Sequence, residues 1–179
     1  MLPGRPDSTL AFGRAIARAK KPPRVWLQQS TASIYPHTPT GPANEEATPI
    51  NGGEHPDSPD YWMYSVHIAR AWELALDSCD TPDTRKVALR TGYTMSHDAG
   101  GVFDWMLWLV DWGLGGPFCG GQQYISWITG QDYAAAVMHL IETDDVAGPV
   151  NMVAPHPVTN SKFMAALTAE VAPALALPI

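Results

Sequence analysis

A chain of 179 residues is long enough for one domain with a sizeable core and too short for two domains to be expected. Its 45% apolar content and seven tryptophans exclude a disordered polypeptide, and a net charge of −7 argues against nucleic acid or an anionic membrane as principal partner. Two cysteines, Cys79 and Cys119, are too few for a disulfide framework and lack metal-ligand spacing; with no signal peptide and no membrane-spanning apolar run, a cytoplasmic setting is expected.

Residues 1–7, with Pro3 and Pro6, read as a loop. Asp7 or Ser8 then caps a helix over about 8–21 whose apolar face is Phe12, Ala15, Ile16 and Ala19, and Pro22-Pro23 stops it. Arg24–Ser30 reads as a strand entering the core through Val25 and Leu27. Six prolines between 36 and 60 mark a long irregular excursion of the kind that is often functional. A helix over 61–78 places Ile68, Trp72, Ala75 and Leu76 on one face, and Lys86–Thr91 forms a second strand through Val87 and Leu89.

Residues 102–112 are apolar almost all round, which predicts a helix buried on most sides or covered by a partner. Glycines at 113, 115, 116, 120 and 121 then require a tightly folded backbone or one brought close to a ligand. An alternating stretch, Tyr124–Ile128, leads into a helix over 131–143 with Ala134, Val137, Met138 and Ile141 as its stripe. Pro149–Val153 is a further strand, and Thr159 or Asn160 caps a last helix carrying Phe163, Leu167 and Val171. This alternation of strands and helices predicts an α/β fold with a mostly parallel sheet.

Five stretches, in order, carry a family resemblance: Ser30-Thr-Ala-Ser-Ile-Tyr35, Ala71-Trp-Glu73, Leu89-Arg-Thr-Gly92, Gly113-Leu-Gly-Gly-Pro117 with Ser126-Trp-Ile128, and Asn151 through Asn160. With them the chain resembles the extended short-chain dehydrogenase/reductase superfamily, in particular its atypical NAD(P)-dependent epimerase-like branch. The resemblance implies a partial Rossmann-type doubly wound parallel sheet with part of a smaller substrate domain. In a single incomplete domain, residues 8–92 would form the Rossmann side, and 93–179 the mixed substrate side with the last sheet elements. NAD(P) is the implied cofactor and a small hydroxylated or nucleotide-sugar-like metabolite the implied substrate.

The departures matter as much. Members of the superfamily open with a strand, a glycine-rich turn and a helix that cradle the dinucleotide pyrophosphate. No G-x-G-x-x-G or G-x-x-G-x-x-G follows a strand here, and the run at 113–121 follows a helix instead. The chain therefore reads as an internal piece of the fold, with an open sheet edge, marginal stability or self-association, and no activity by itself.

The resemblance places Thr31, with Ser33 and Tyr35 beside it, at the catalytic strand end. It places Ser30, Arg90, Thr91 and Gly92 near the cofactor, and Gln122, Gln123 and Trp127 near the substrate. The Tyr-x-x-x-Lys pair is missing. Tyr61 and Tyr64 are followed four residues on by Ser65 and Ile68, and in the register of Ala71-Trp-Glu73 the two positions fall on Ser65 and Ala69. Relatives carry Gly-Arg-Gln and Trp-Ile-His where this chain has Gly121-Gln122-Gln123 and Trp127-Ile128-Thr129, which weakens the case for an anionic substrate because Gln supplies no charge. The six histidines show no metal-ligand spacing, and none is assigned to a metal.

Overall fold

The computed structural model describes residues 4–35, 60–96, 98 and 100–171. The proline-rich excursion and the histidines at 37, 55 and 97 lie outside the described residues. Two compact units divide the chain: Met1–Thr91 with Ala136–Met152, and Gly92–Ala135 with Val153–Ile179. Residues beyond 92 thus return to complete the sheet of the first unit.

That sheet holds three parallel strands in the order β1 (Val25–Thr31), β2 (Arg85–Thr91), β6 (Gly148–Met152). Thr31 pairs with Thr91 and Thr91 with Met152, so the three carboxyl ends are level. β2 is central, and its Val87, Ala88, Leu89 and Arg90 are all buried, as expected of a parallel strand covered on both faces. β1 is an edge among the described residues.

Helix α1 spans Gly4–Ala17, four residues earlier than expected at each end. Its first turn tolerates Pro6 because that turn's N–H groups need no helical partner, and Ala19 N–H closes its far end on Ile16 O at 3.0 Å. The expected face is also displaced: Phe12 is 65% exposed, and Thr9 and Gly13 are buried instead. Thr9 Oγ1 accepts from Trp72 Nε1 at 2.9 Å and lies 3.3 Å from Gln28 Oε1, which ties α1 to the neighbouring elements. A Cβ at Gly13 would stand 2.2 Å from Cys79 Sγ, so only glycine allows this approach.

The same kind of correction applies elsewhere. β1 buries Gln28 and Ser30 rather than Val25 and Leu27, because both polar side chains find partners inside. In α2 (Asp60–Asp77) Ala75 and Leu76 are buried as expected, but Val66, Ala69 and Glu73 complete the buried line and Ile68 and Trp72 are only half-buried. In α4 (Gly130–Glu142) Leu140 is buried while Met138 and Ile141 face outward. Arg85 donates to Leu140 O and Val146 O, satisfying carbonyls at and beyond the end of α4.

In the second unit β3 (Tyr93–Met95) pairs in parallel with β5 (Trp127–Thr129), and β4 (Tyr124–Ile125) pairs antiparallel with β7 (Val158–Thr159). Its core joins α3 (Val102–Asp111) to α5 (Asn160–Val171) through Val110, Met164 and Leu167, with Phe103, Met106, Leu107 and Phe163 packed around them. Among the described residues α3 packs on α5 and β3, and its opposite side is open. Trp105, Trp108 and Trp112 are 64%, 48% and 69% exposed, and their rings lean on one another at centroid distances of 5.4 and 5.8 Å.

The glycine run serves tight folding. Gly113 (φ +71°) makes the left-handed turn after α3. At Gly121 (φ +69°) a Cβ would meet Ser161 Oγ at 1.9 Å, so the loop lies directly against the first turn of α5. Asn160, expected as a cap, instead accepts Phe118 N–H at 2.7 Å and donates its own N–H to Gln123 O. Thr159 Oγ1 takes the capping place toward Lys162 N–H at 3.4 Å.

Candidate functional site at the strand ends

Six of the expected site residues meet at the carboxyl edge of the first unit's sheet. β1 ends in Thr31, whose extended backbone (φ −142°) opens the short 3-10 turn Ala32–Ile34. Thr31 Oγ1 accepts Ser33 N–H at 3.2 Å and donates to Ser33 Oγ at 3.1 Å, so the two hydroxyls form a half-buried pair. Beside them Thr91 Oγ1 accepts from Gln29 Nε2 at 2.8 Å.

Beneath this edge lies a buried polar network. Arg90 and Glu73 form a bidentate pair, Nε to Oε1 at 3.0 Å and Nη2 to Oε2 at 2.8 Å. Ser30 Oγ donates to Glu73 Oε1 at 2.5 Å, and Arg90 Nη1 donates to Tyr35 OH at 2.8 Å. Tyr35 OH donates to Asn151 Oδ1 at 2.9 Å, linking β2 to the turn after β1 and to β6. Burial acts to lower the Arg90 pKa, but the bonds to Glu73 and Tyr35 and the Glu73 charge outweigh it; the net direction is upward and the guanidinium stays charged. Tyr35 and Ser30 are thus engaged in the network, while Thr31 and Ser33 are half-buried and bond to each other.

The remaining four fall in the second unit. Gly92 is fixed by packing: a Cβ there would lie 2.5 Å from Ser126 O, the carbonyl that accepts Tyr93 N–H. Gln122 is exposed, and Gln123 donates to Phe118 O within the glycine loop. Trp127 donates Nε1–H to His156 O and presents its ring to an apolar cavity. Sequence reasoning missed Glu73 and Asn151 as members of the network. Glu73 carried a signal, a lone acid on the inward line of α2 one strand away from an inward Arg. The lysine position of Tyr-x-x-x-Lys falls on Ala69, which is fully buried against Ile34 and Tyr35 and serves packing.

Among the described residues none fits a dinucleotide pyrophosphate. Two strand-to-helix junctions there carry glycine, and a carboxylate closes each. Before α3, Gly100 N–H donates to Asp104 Oδ2 at 3.0 Å. At α4, which opens with Gly130, Asp132 Oδ2 accepts Thr129 Oγ1–H at 2.8 Å while Thr129 Oγ1 accepts Asp132 N–H. An acid in the first turn already complements the helix dipole and repels a phosphate. Among the described residues no group of three or more His, Cys, Asp or Glu is placed to hold a metal, and no helix is long and apolar enough to cross a membrane.

A parallel sheet with level carboxyl ends and helices α1 and α2 packed on it defines a Rossmann-type α/β fold. No protein-family model matches the chain. Bovine epimerase family protein SDR39U1 is 33% identical over 168 residues, 93% of this chain and 53% of the relative. The crystal structure of human SDR39U1 (isoform 2) with NADPH superposes with a TM-score of 0.78 at 30% identity, covering 93% of this chain and 54% of that one. A nucleoside-diphosphate sugar epimerase from Corynebacterium glutamicum shares the fold at a TM-score of 0.70, 24% identity, and 93% and 33% coverage. The chain belongs to this epimerase family of short-chain dehydrogenase/reductase-type proteins and spans about half the length of the curated SDR39U1 relatives it matches.

Proposed function

We propose that the chain is the strand-end and substrate-side portion of an NAD(P)-dependent epimerase-family oxidoreductase acting on a nucleotide-sugar-like or other hydroxylated metabolite, and that it does not turn over alone. The observation that carries this is the Thr31–Ser33 hydroxyl pair at the level strand ends, in a chain whose described glycine junctions are each closed by a carboxylate. The NADPH in the human relative's structure supports the cofactor. Thr31 and Ser33 orient a substrate hydroxyl or carbonyl by hydrogen bonding. Two free cysteines, one half-buried and one exposed, agree with a reducing cytoplasmic setting.

The test joins this chain behind a strand–glycine turn–helix segment that binds a dinucleotide and follows NADPH oxidation over a panel of keto-sugars and simpler ketones. Activity is expected, and Thr31→Val is expected to lower kcat by about 10²-fold, beyond the loss of about 1 kcal/mol of stability that comes with its cap on Ser33 N–H. A joined protein that binds NADPH yet oxidises it with no carbonyl offered, or that is indifferent to Thr31→Val, overturns the proposal.

A second reading, self-association, is carried by the tryptophan ladder of α3, since contiguous apolar faces of this size seldom meet water in monomers. Trp105→Ser/Trp108→Ser/Trp112→Ser is expected to shift sedimentation from dimer to monomer. A parent chain that stays monomeric across a hundredfold concentration range removes this reading.

A further inference from the structure

We propose that the second unit holds a binding site for a small amphipathic monoanion, an aliphatic or aromatic carboxylate, in the cavity between α3 and α5. This site does not depend on the oxidoreductase reading. The cavity measures about 470 Å³, within the ~300–1,000 Å³ range of small-molecule pockets. Phe103 and Leu107, one turn apart on α3, face Phe163 and Leu167 on α5, and Met95 and Trp127 close it from the strands. The wall is apolar throughout. Trp127 is held in place by its bond to His156 O, so that side of the wall is formed in advance.

Charge selects the ligand. Across residues 92–135 and 153–179 Lys162 is the sole Lys or Arg, set against Asp98, Asp104, Asp111, Asp132 and Glu170. That one cation borders the cavity, and its side chain has no hydrogen-bond or ion-pair partner among the described residues. Its methylene stem extends the apolar wall while the ammonium reaches water at the rim. Glu170 borders the same cavity two turns further along α5, roughly 12 Å away at 1.5 Å per residue. A ligand entering beside Lys162 therefore meets a positive charge at the rim and an apolar body behind it, and Glu170 at the far rim repels a second anionic group. A single carboxylate at Lys162 with a hydrocarbon tail satisfies this arrangement. A diphosphate finds one cation among five acids, and an apolar wall that offers its oxygens no donor.

The experiment titrates the full 179-residue chain with decanoate, decyltrimethylammonium and uridine diphosphate, read by calorimetry and by tryptophan fluorescence. Decanoate is expected to saturate with a Kd of about 10–100 μM. Lys162→Met, a change at an exposed position, is expected to weaken it about tenfold without altering the thermal melt. Ala166→Trp, at an exposed position of the cavity mouth between Lys162 and Glu170, is expected to abolish it. The proposal is overturned if decyltrimethylammonium binds as tightly as decanoate, if uridine diphosphate displaces decanoate, or if Lys162→Met binds unchanged. It is equally overturned if decanoate fails to bind while Ala166→Trp dissociates a dimer, which would assign the cavity to a second copy of the chain.

Discussion

Arg90→Met is expected to lower the unfolding free energy of the chain by about 3–5 kcal/mol, read as a fall in the urea midpoint. Arg90 is 3% exposed and Glu73 8%, so the variant leaves a buried carboxylate with Ser30 as its remaining partner in the network and removes the donor to Tyr35. The double variant Arg90→Met/Glu73→Leu is expected to recover most of the loss, because removing both charges removes the desolvation cost as well. A single variant within about 1 kcal/mol of the parent would show that the network contributes little net stability. The pH dependence follows from the direction of the Arg90 shift. Its folded pKa lies above the ordinary guanidinium value, so the stabilisation is complete below that value and disappears only as pH rises through the still higher folded one. Across roughly neutral pH the Arg90 contribution is therefore constant.

NADPH and NADH are expected to show no saturable binding to the chain alone up to about millimolar concentration, a gap of more than ~4 kcal/mol from micromolar affinity. The pyrophosphate is the part of the dinucleotide that needs closely approaching N–H groups and a positive helix end. Among the described residues Asp104 and Asp132 occupy the two glycine-bearing junctions that have that order. Nicotinamide fluorescence and thermal shift read the result. Saturation at micromolar cofactor would show that the chain builds a pyrophosphate site away from both junctions, and would remove the reason for expecting inactivity.

Order and type of the main elements were legible because hydrophobic period and Pro/Gly punctuation act locally. Pro22-Pro23 marked the break between α1 and β1, though α1 itself ends at Ala17, and β2 was found from Val87 and Leu89. Which face of a helix turns inward was less legible. Phe12 looked like core, yet Thr9 is buried because Trp72 and Gln28 supply polar partners from distant elements. In α4 the apolar Met138 and Ile141 give way to the line through Leu140 for the same reason: packing is settled by what lies opposite. The short pairings of β3 and β7 were invisible, since two or three residues carry no period.

The strand-end cluster was legible as a set of positions but not as chemistry. Motif order placed Thr31, Ser33 and Arg90 together, and they do lie along one sheet edge. It did not show that Tyr35 is locked between Arg90 and Asn151, a contact spanning 116 residues of sequence. Family membership followed from the five ordered motifs, and the relatives bear it out. The apolar cavity had no sequence signature, because its walls come from two helices and two strands with ordinary core residues.

The path of the chain bears on how it is made. A ribosome releases β1 and β2 by residue 91, but β6, which pairs with the other side of β2, begins only at Gly148. The polypeptide first travels through the Gly92–Ala135 part of the second unit and the rest of α4. At about 5–20 residues per second, the nascent β2 waits several seconds with one row of N–H and C=O groups unpaired. Its side chains, destined for burial on both faces, wait with it. Growing chains of intermediate length thus present a sticky, half-finished sheet, and they are the lengths at which chaperone occupancy matters most for yield.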